Sequence, residues 1–387
     1  MLGPAPFVLL DDARSGGADA RLYRDPVRIV TAKTPDEVRS ALAALDAARV
    51  DGLHAAGYLA YEAGHALEPK LGTPAVSGPL LWFGLFRDFE TIAADDVAAR
   101  LPDPAGAWLG RPRPGITRAA YDTAFARVHE WIEAGDIYQA NLSFRASVRV
   151  LGDPLAAYAA IRGRAAAGYG GIVWTGDDWL LSFSPELFFA LRDGELIARP
   201  MKGTTPRGAT PETDEAAKAT LATDPKQRAE NLMIVDLMRN DLARVCTPGS
   251  VRVPELFAVE SFANVHHLVS TVVGRLAPGK GAVDLLRATF PPGSITGAPK
   301  VQAMKTIASL EAPRGPYCGS LFWAGFDGAF DSSVLIRTAA FVEDAGGWSL
   351  EARAGAGIVA DSDPHAERLE TEAKIAALAR ALEEPCA

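Results

Sequence analysis

The chain has 387 residues, with 48% hydrophobic and 22% charged side chains and a net charge of −9. This is a globular composition, which excludes disorder for the bulk of the chain, and the acidic balance excludes a general nucleic-acid binder. Apolar runs such as residues 80–86 are too short to span a bilayer, and the N-terminus has no basic segment ahead of a signal-like core.

Residues 1–110 are rich in Ala, Gly and Pro and carry no chemical motif. Prolines and glycines crowd residues 102–115, which predicts a connection before a helix. That helix is expected to start at Thr117 as N-cap and stop at Gly135, burying Tyr121, Phe125, Val128 and Ile132. Beyond it, β-rich runs at 180–190, 265–273 and 333–341 alternate with helices, which predicts a mixed α and β core. Asp224-Pro225 opens one helix, with Gln227 placed to close a capping box and Leu232, Val235, Met238, Leu242 and Val245 as its apolar stripe. Asp363-Pro364 opens the last helix, with Ile375, Leu378 and Leu382 facing inward. Three scattered cysteines, Cys246, Cys318 and Cys386, read as reduced thiols of a cytoplasmic protein.

Several side chains invite chemistry. Glu230 lies in the second turn of the helix after Asp224, and Glu367 and Glu370 share one face of the last helix. Hard carboxylate oxygens suit Mg²⁺, which needs one or two of them plus an anionic substrate. The competing assignment is ion pairing, Glu370 with Lys374 and Glu230 with Lys226. Segment 293–300 (GSITGAPK) and the glycines Gly355 and Gly357 offer backbone N–H groups to a carboxylate or phosphate, or simply turn the chain. Residues 274–281 approach a phosphate-binding loop, but Gly281 stands where Mg²⁺ needs a hydroxyl and Pro278 interrupts, so we read a turn after a strand.

Lys202 sits between Pro200 and Gly203-Thr204 in an irregular segment. Partly buried, it would lose its proton and become a nucleophile; solvated, it would not. His266 and His267 alternate within the run 265–273, so one of the pair is expected to face inward. Arg337 is expected on the same strand face as Leu335 and Ala339, where a guanidinium needs a substrate carboxylate or an internal acid.

In order along residues 113–380, the chain resembles the chorismate-utilising enzymes. The matching segments are 136–142 (DIYQANL), 184–186 (SPE), 200–204 (PMKGT), 228–231 (RAEN) and 239–241 (RND). They continue with 267–270 (HLVS), 293–300, 317–319 (YCG), 336–338 (IRT), 355–358 (GAGI) and 367–374. The resemblance implies an α+β fold, a four-layer α/β/β/α unit of packed antiparallel sheets spanning 1–387. Residues 1–110 would be a divergent part of that same fold.

Two positions sort the reactions of this family. Members that add water carry a lysine base where this chain has Gln139, and an amide cannot deprotonate water. Anthranilate-forming members usually have alanine where this chain has Lys202. The resemblance therefore implies a transferase that makes 4-amino-4-deoxychorismate from chorismate and ammonia, on the route to 4-aminobenzoate and folate. The alternatives are an anthranilate-forming enzyme and a non-catalytic chorismate-binding subunit.

By resemblance, Glu230 and Glu370 bind Mg²⁺, which holds the ring carboxylate, and Glu367 orients metal waters. Thr296 and Gly297, with neighbouring amides, place the ring carboxylate; Tyr317, Arg337 and the backbone at Gly357 hold the enolpyruvyl carboxylate. Glu186 is the implied general acid, Lys202 the nucleophile at C2, and His267 a contact to the C4 substituent. Gln227 stands where the family often has an acid, so a weaker hold on the metal waters is expected. A glutamine amidotransferase partner and a separate lyase are implied, since the motifs leave no room for either in this chain.

Overall fold

A computed structural model describes residues 3–76, 78–262, 265–344 and 347–380. Leu382 and Cys386 lie outside the described residues. Among these residues the strands form two antiparallel sheets, one of 11 strands and one of 10. The first runs Gly297–Ala298, Gln139–Gly152, Gly347–Ile358, Thr338–Asp344, Trp179–Ser182, Gly170–Trp174, Phe7–Asp11, Ala20–Arg24 and Glu90–Ile92, with two short strands off this path. The second runs Met201–Pro206, Val265–Arg275, Glu195–Ala198, Leu187–Arg192, Phe330–Val334, Ser320–Ala324, His54–Leu59, Leu81–Phe86 and Arg28–Ala32, with Arg252–Ser261 paired beside Val265–Arg275. Strands from the first hundred residues enter both sheets: Phe7 pairs with Trp174, and Leu59 with Ser320.

The period of two in a strand explains the layering, because neighbouring side chains point to opposite faces. Leu81, Phe83 and Leu85 join a core shared with helices Pro35–Val50 and Ala282–Thr289, whereas Trp82 and Phe86 join the core between the sheets. On the other side, helices Arg118–Glu133, Pro154–Ala165 and Pro364–Arg380 bury Tyr121, Tyr158 and Ile375 against Phe144, Ile172 and Phe341. The order is thus helix, sheet, sheet, helix, the expected α+β arrangement. No described helix is long and apolar enough to cross a membrane.

Helix Arg118–Glu133 starts and stops where its signals lie: the Ala120 N–H donates to Thr117 Oγ1 at 3.2 Å, and Gly135 takes φ +80° beyond its end. Helix Pro225–Ala243 departs from expectation in two ways. Leu232 is 43% exposed, because the inward face is Asn231, Ile234, Val235, Met238 and Leu242, about a quarter turn round the helix from it. The capping box is also half made: Asp224 Oδ1 accepts from the Gln227 N–H at 2.9 Å, but the Gln227 side chain turns instead toward Gly203.

Two predicted β-runs are each split between the sheets. The run 180–190 leaves the first sheet after Ser182 and enters the second at Leu187. The run 333–341 leaves the second sheet after Val334 and enters the first at Thr338. The two crossings lie side by side, with the Phe183 N–H on the Arg337 carbonyl at 3.0 Å and the Val334 N–H on the Glu186 carbonyl at 3.1 Å. Arg337 therefore sits in a bend at φ +50°, not in a strand as expected.

A buried polar knot ties the loop after helix Lys300–Leu310 to both sheets. Arg314 donates twice to the Glu311 carboxylate (2.9 and 3.0 Å), to the Asn141 carbonyl (2.6 Å) and to the Ile295 carbonyl (3.2 Å). Glu62 accepts the Arg314 and Gly315 N–H groups at 2.6 and 2.9 Å. Removing one partner strands a buried charge, so Arg314→Ala is expected to cost about 3–5 kcal/mol, read as a lower midpoint in denaturant unfolding.

Candidate active site

The site is built where strand Gln139–Gly152 lies between its two neighbours. Gly297 pairs with Ala140 on one side, and Gly357 with Asn141 on the other. Close approach to backbone requires Gly297, where a Cβ would lie 2.2 Å from the Gln139 carbonyl; a Cβ on Gly357 would lie 2.6 Å from Gln139 Nε2 and displace that side-chain amide. Gln139 is wholly buried, yet both atoms of its side-chain amide lack a partner, as does Asn141 Nδ2. Buried amides are normally satisfied, so this wall is shaped for a polar guest.

Lys202 reaches the same wall, its Nζ 3.3 Å from a Cβ built on Gly357. The register of strand Met201–Pro206 explains how. Met201 pairs with Val269 and Thr204 with His267, so Lys202 and Gly203 together face one residue across the ladder. This is a β-bulge, which re-aims a side chain, and Gly203 permits it at φ +93°. A Cβ there would meet Leu268 Cβ at 3.1 Å and Gln227 Oε1 at 3.0 Å. Burial pulls the Lys202 ammonium below its usual range, while Glu230 resists that shift more than Glu186 or Glu370. Gly357→Ala should push on Gln139 and Lys202 together; we expect about a hundredfold loss of turnover with folding retained, checked by steady-state kinetics and circular dichroism.

Glu186 occupies one of the two sheet crossings and accepts the Ser294 hydroxyl on Oε1 at 2.7 Å. Burial pushes its carboxyl up to about 7, against Ser294 and Lys202, which pull it down. Arg337 occupies the other crossing. Its guanidinium is mostly buried, and no acceptor for it is present among the described residues; burial alone lowers its pKa. His267 contacts Thr204 Oγ1 through Nδ1 at 2.8 Å, and burial, with Arg337 nearby, takes it down to about 4, so the imidazole is neutral at pH 7. His266 is buried as well, against expectation, because the strand is covered on both faces: its Nε2 meets Asp214 and its Nδ1 meets Ser261, at 2.9 and 2.8 Å.

Tyr317 is buried beside Asn141 and Arg314. The Thr296 hydroxyl is committed within its own loop, donating to the Pro292 carbonyl at 2.8 Å. The three acidic residues come from two helices. Burial raises both Glu230 and Glu367; the Glu367 charge adds to the rise at Glu230, and the Glu370 charge to the rise at Glu367. Glu370 pairs with Lys374 at 2.8 Å, whereas Lys226 pairs with Asp361 at 3.2 Å in place of Glu230. Among the described residues no three His, Cys, Asp or Glu side chains stand ready-made around an ion. Hard oxygens that repel one another nonetheless fit a divalent cation that also takes ligands from its substrate.

A family model described as chorismate binding enzyme matches residues 6–380. This chain belongs to the chorismate binding enzyme family. It is 44% identical over 314 residues to "Aminodeoxychorismate synthase component 1" of Klebsiella aerogenes, covering 77% of this chain and 67% of that protein. The relative of that name in Salmonella typhimurium is 46% identical over 69% of this chain and 58% of its own length. "Anthranilate synthase component 1 2" of Haloarcula marismortui is 41% identical over 69% of this chain and 50% of its length. The chain thus spans about three fifths of these relatives. Among solved structures, anthranilate synthase component I from Streptococcus pneumoniae superposes with a TM-score of 0.80 at 27% identity, covering 98% of this chain and 93% of that one.

The family's segments converge here although they are spread over more than two hundred residues. Ser294, Asn141 and Lys374 escaped residue-level reading. Ser294 lay inside a quoted glycine loop, and Lys374, whose Nζ also donates to the Gly355 carbonyl at 2.9 Å, was read only as a surface pairing partner.

Proposed function

We propose that this chain converts chorismate and ammonia to 4-amino-4-deoxychorismate. The observation that carries the reading is Lys202: a buried amine with a lowered pKa, aimed by a bulge at a wall of unpartnered amides. The names of its relatives support the same substrate.

The steps follow from the residues. Neutral Lys202 attacks C2, both ring double bonds shift in turn toward C4, and the C4 hydroxyl leaves as water with the proton of Glu186. Ammonia then attacks C4, both double bonds return, and Lys202 departs as the amine. The new C4 ammonium passes one proton to the Glu186 carboxylate, which resets the acid. The buried guanidinium of Arg337, which has no acceptor among the described residues, holds the enolpyruvyl carboxylate with Tyr317 and the N–H of Gly357, while Thr296 and Gly297 shape the end that takes the ring carboxylate. Neutral His267 offers a hydrogen bond to the C4 substituent without competing for its proton. Glu230 and Glu370 would hold Mg²⁺, with Glu367 on its waters; when bound, the ion supplies the positive charge that lets the ring carboxylate approach these acids. Gln139 accepts or donates a hydrogen bond but takes no proton from water, which favours ammonia.

A glutamine amidotransferase would supply the ammonia, and a separate lyase would consume the product. The test is incubation of the chain with chorismate, Mg²⁺ and ammonium, followed by chromatography. We expect 4-amino-4-deoxychorismate; fluorescent anthranilate as sole product would overturn the reading.

A further inference from the structure

The hydrogen bond between Ser294 and Glu186 has a consequence for where the catalytic proton sits. Both side chains are at least nine-tenths buried. Ser294 Oγ lies 2.7 Å from Oε1, the one side-chain hydrogen bond recorded for this carboxyl among the described residues. Among the described residues the Ser294 hydroxyl has no other acceptor, so its hydrogen points at Oε1 and occupies it.

The serine is itself held rigidly. It lies in the tight turn Gly293–Ile295, which Thr296 closes by donating to the Pro292 and Gly293 carbonyls at 2.8 and 3.2 Å. Arg314 grips the Ile295 carbonyl at 3.2 Å. A Cβ on Gly293 would sit 2.5 Å from Leu237, so helix Pro225–Ala243 abuts the turn. On the acid's side, the Ser184 hydroxyl donates to the Val334 carbonyl at 2.6 Å and accepts the Glu186 N–H at 3.2 Å. Both ends of the contact are therefore fixed by the backbone before any substrate arrives.

We propose that Ser294 is a positioning residue for Glu186: by occupying Oε1 it confines the transferable proton to Oε2. A carboxylic acid carries one proton that either oxygen can hold. With one oxygen engaged by a fixed donor, the acid form presents O–H from the other, and the carboxyl plane cannot turn. The charged group acting on Glu186 is Lys202, from strand Met201–Pro206; the turn Gly293–Ile295 presents Ser294, and strand Phe330–Val334 presents the backbone N–H of Val334. Ser294 also stabilises the carboxylate, so it sets both the direction and the strength of the acid.

This inference rests on the reaction proposed above, and its test separates the two. Protein labelled with [δ-¹³C]glutamate is titrated without substrate, and the Glu186 resonance is assigned by its loss in Glu186→Gln. Its midpoint is expected to rise by at least about 0.5 unit in Ser294→Ala, because a donor to the charged form is lost, and to return in Ser294→Thr, which keeps the hydroxyl. Ser294→Cys, a weak donor of similar size, should lie between them and serves if the alanine variant fails to fold. In turnover with chorismate and ammonium, Ser294→Ala is expected to lose about tenfold in kcat with KM little changed, while its alkaline limb moves to higher pH. A serine that merely filled space would lower thermal stability and leave the midpoint where it was. An unmoved midpoint in both the alanine and cysteine variants overturns the assignment, whatever the product. A shifted midpoint in a protein that makes only anthranilate supports it and overturns the reaction alone.

Discussion

Lys202→Ala is expected to reduce ammonia-dependent consumption of chorismate by at least about 10³-fold, equivalent to roughly 4 kcal/mol of barrier. The size follows from what is removed. An exposed lysine with an ordinary pKa is free amine in only about one molecule in 2,500 at pH 7. Burial beside Gly357 and Gln139 raises that fraction, and the bulge at Gly203 aims the amine, so the variant loses both. Lys202→Arg should be equally inactive, since guanidinium stays protonated. Chorismate binding should survive in Lys202→Ala, because the groups assigned to its carboxylates lie elsewhere. Mass spectrometry of quenched, intact protein is the second readout: native enzyme in turnover should carry a substrate adduct and Lys202→Ala none. Unchanged turnover in the alanine variant would refute covalent catalysis here.

Glu186→Gln should cost about 10²–10⁴-fold, the range for losing a general acid from a poor leaving group. The pH dependence has a definite sign. A glutamic acid near its usual pKa is protonated in about one molecule in 500 at pH 7; with the pKa pushed up to about 7, half of Glu186 carries its proton. The acid form exists below that value and is lost above it, so native turnover should fall as pH rises through about 7. In Glu186→Gln that limb should vanish, leaving a low rate that no longer falls there. Lys202 must also be unprotonated to attack, so gaining its proton lowers turnover, and that dependence should persist in the glutamine variant. A glutamine variant that keeps the native alkaline limb would assign the acid to another group.

Much of the local structure was legible because its signals are local. Thr117 and Gly135 bound their helix, and the Asp-Pro pairs at 224–225 and 363–364 open theirs, because caps act on the nearest turn. The motif order put forward candidate residues for a site without saying how they meet. Reading failed where neighbours in sequence part company in space. Ser184-Pro185-Glu186 and Arg337-Thr338 do interrupt the hydrophobicity of residues 180–190 and 333–341, but a strand buried in either sheet looks the same, so nothing local shows that the two halves of each run join different sheets. For the same reason a strand covered on both faces buried His266 along with His267.

By itself, then, the sequence determined the chemistry on offer: a lysine where nucleophilic attack needs one, a carboxylic acid, an amide where water-adding relatives carry a base, and three hard acids. Residue identity is a covalent property and needs no fold to be read. Only the tertiary structure decided what those groups are. Two sheets exchanging strands at one place put Glu186 against Ser294, left Arg337 without an acceptor among the described residues, and brought Lys202 against Gly357. Burial turns an ordinary carboxyl into an acid at pH 7 and an ordinary ammonium toward an amine, and burial is a property of the packed layers, not of any segment.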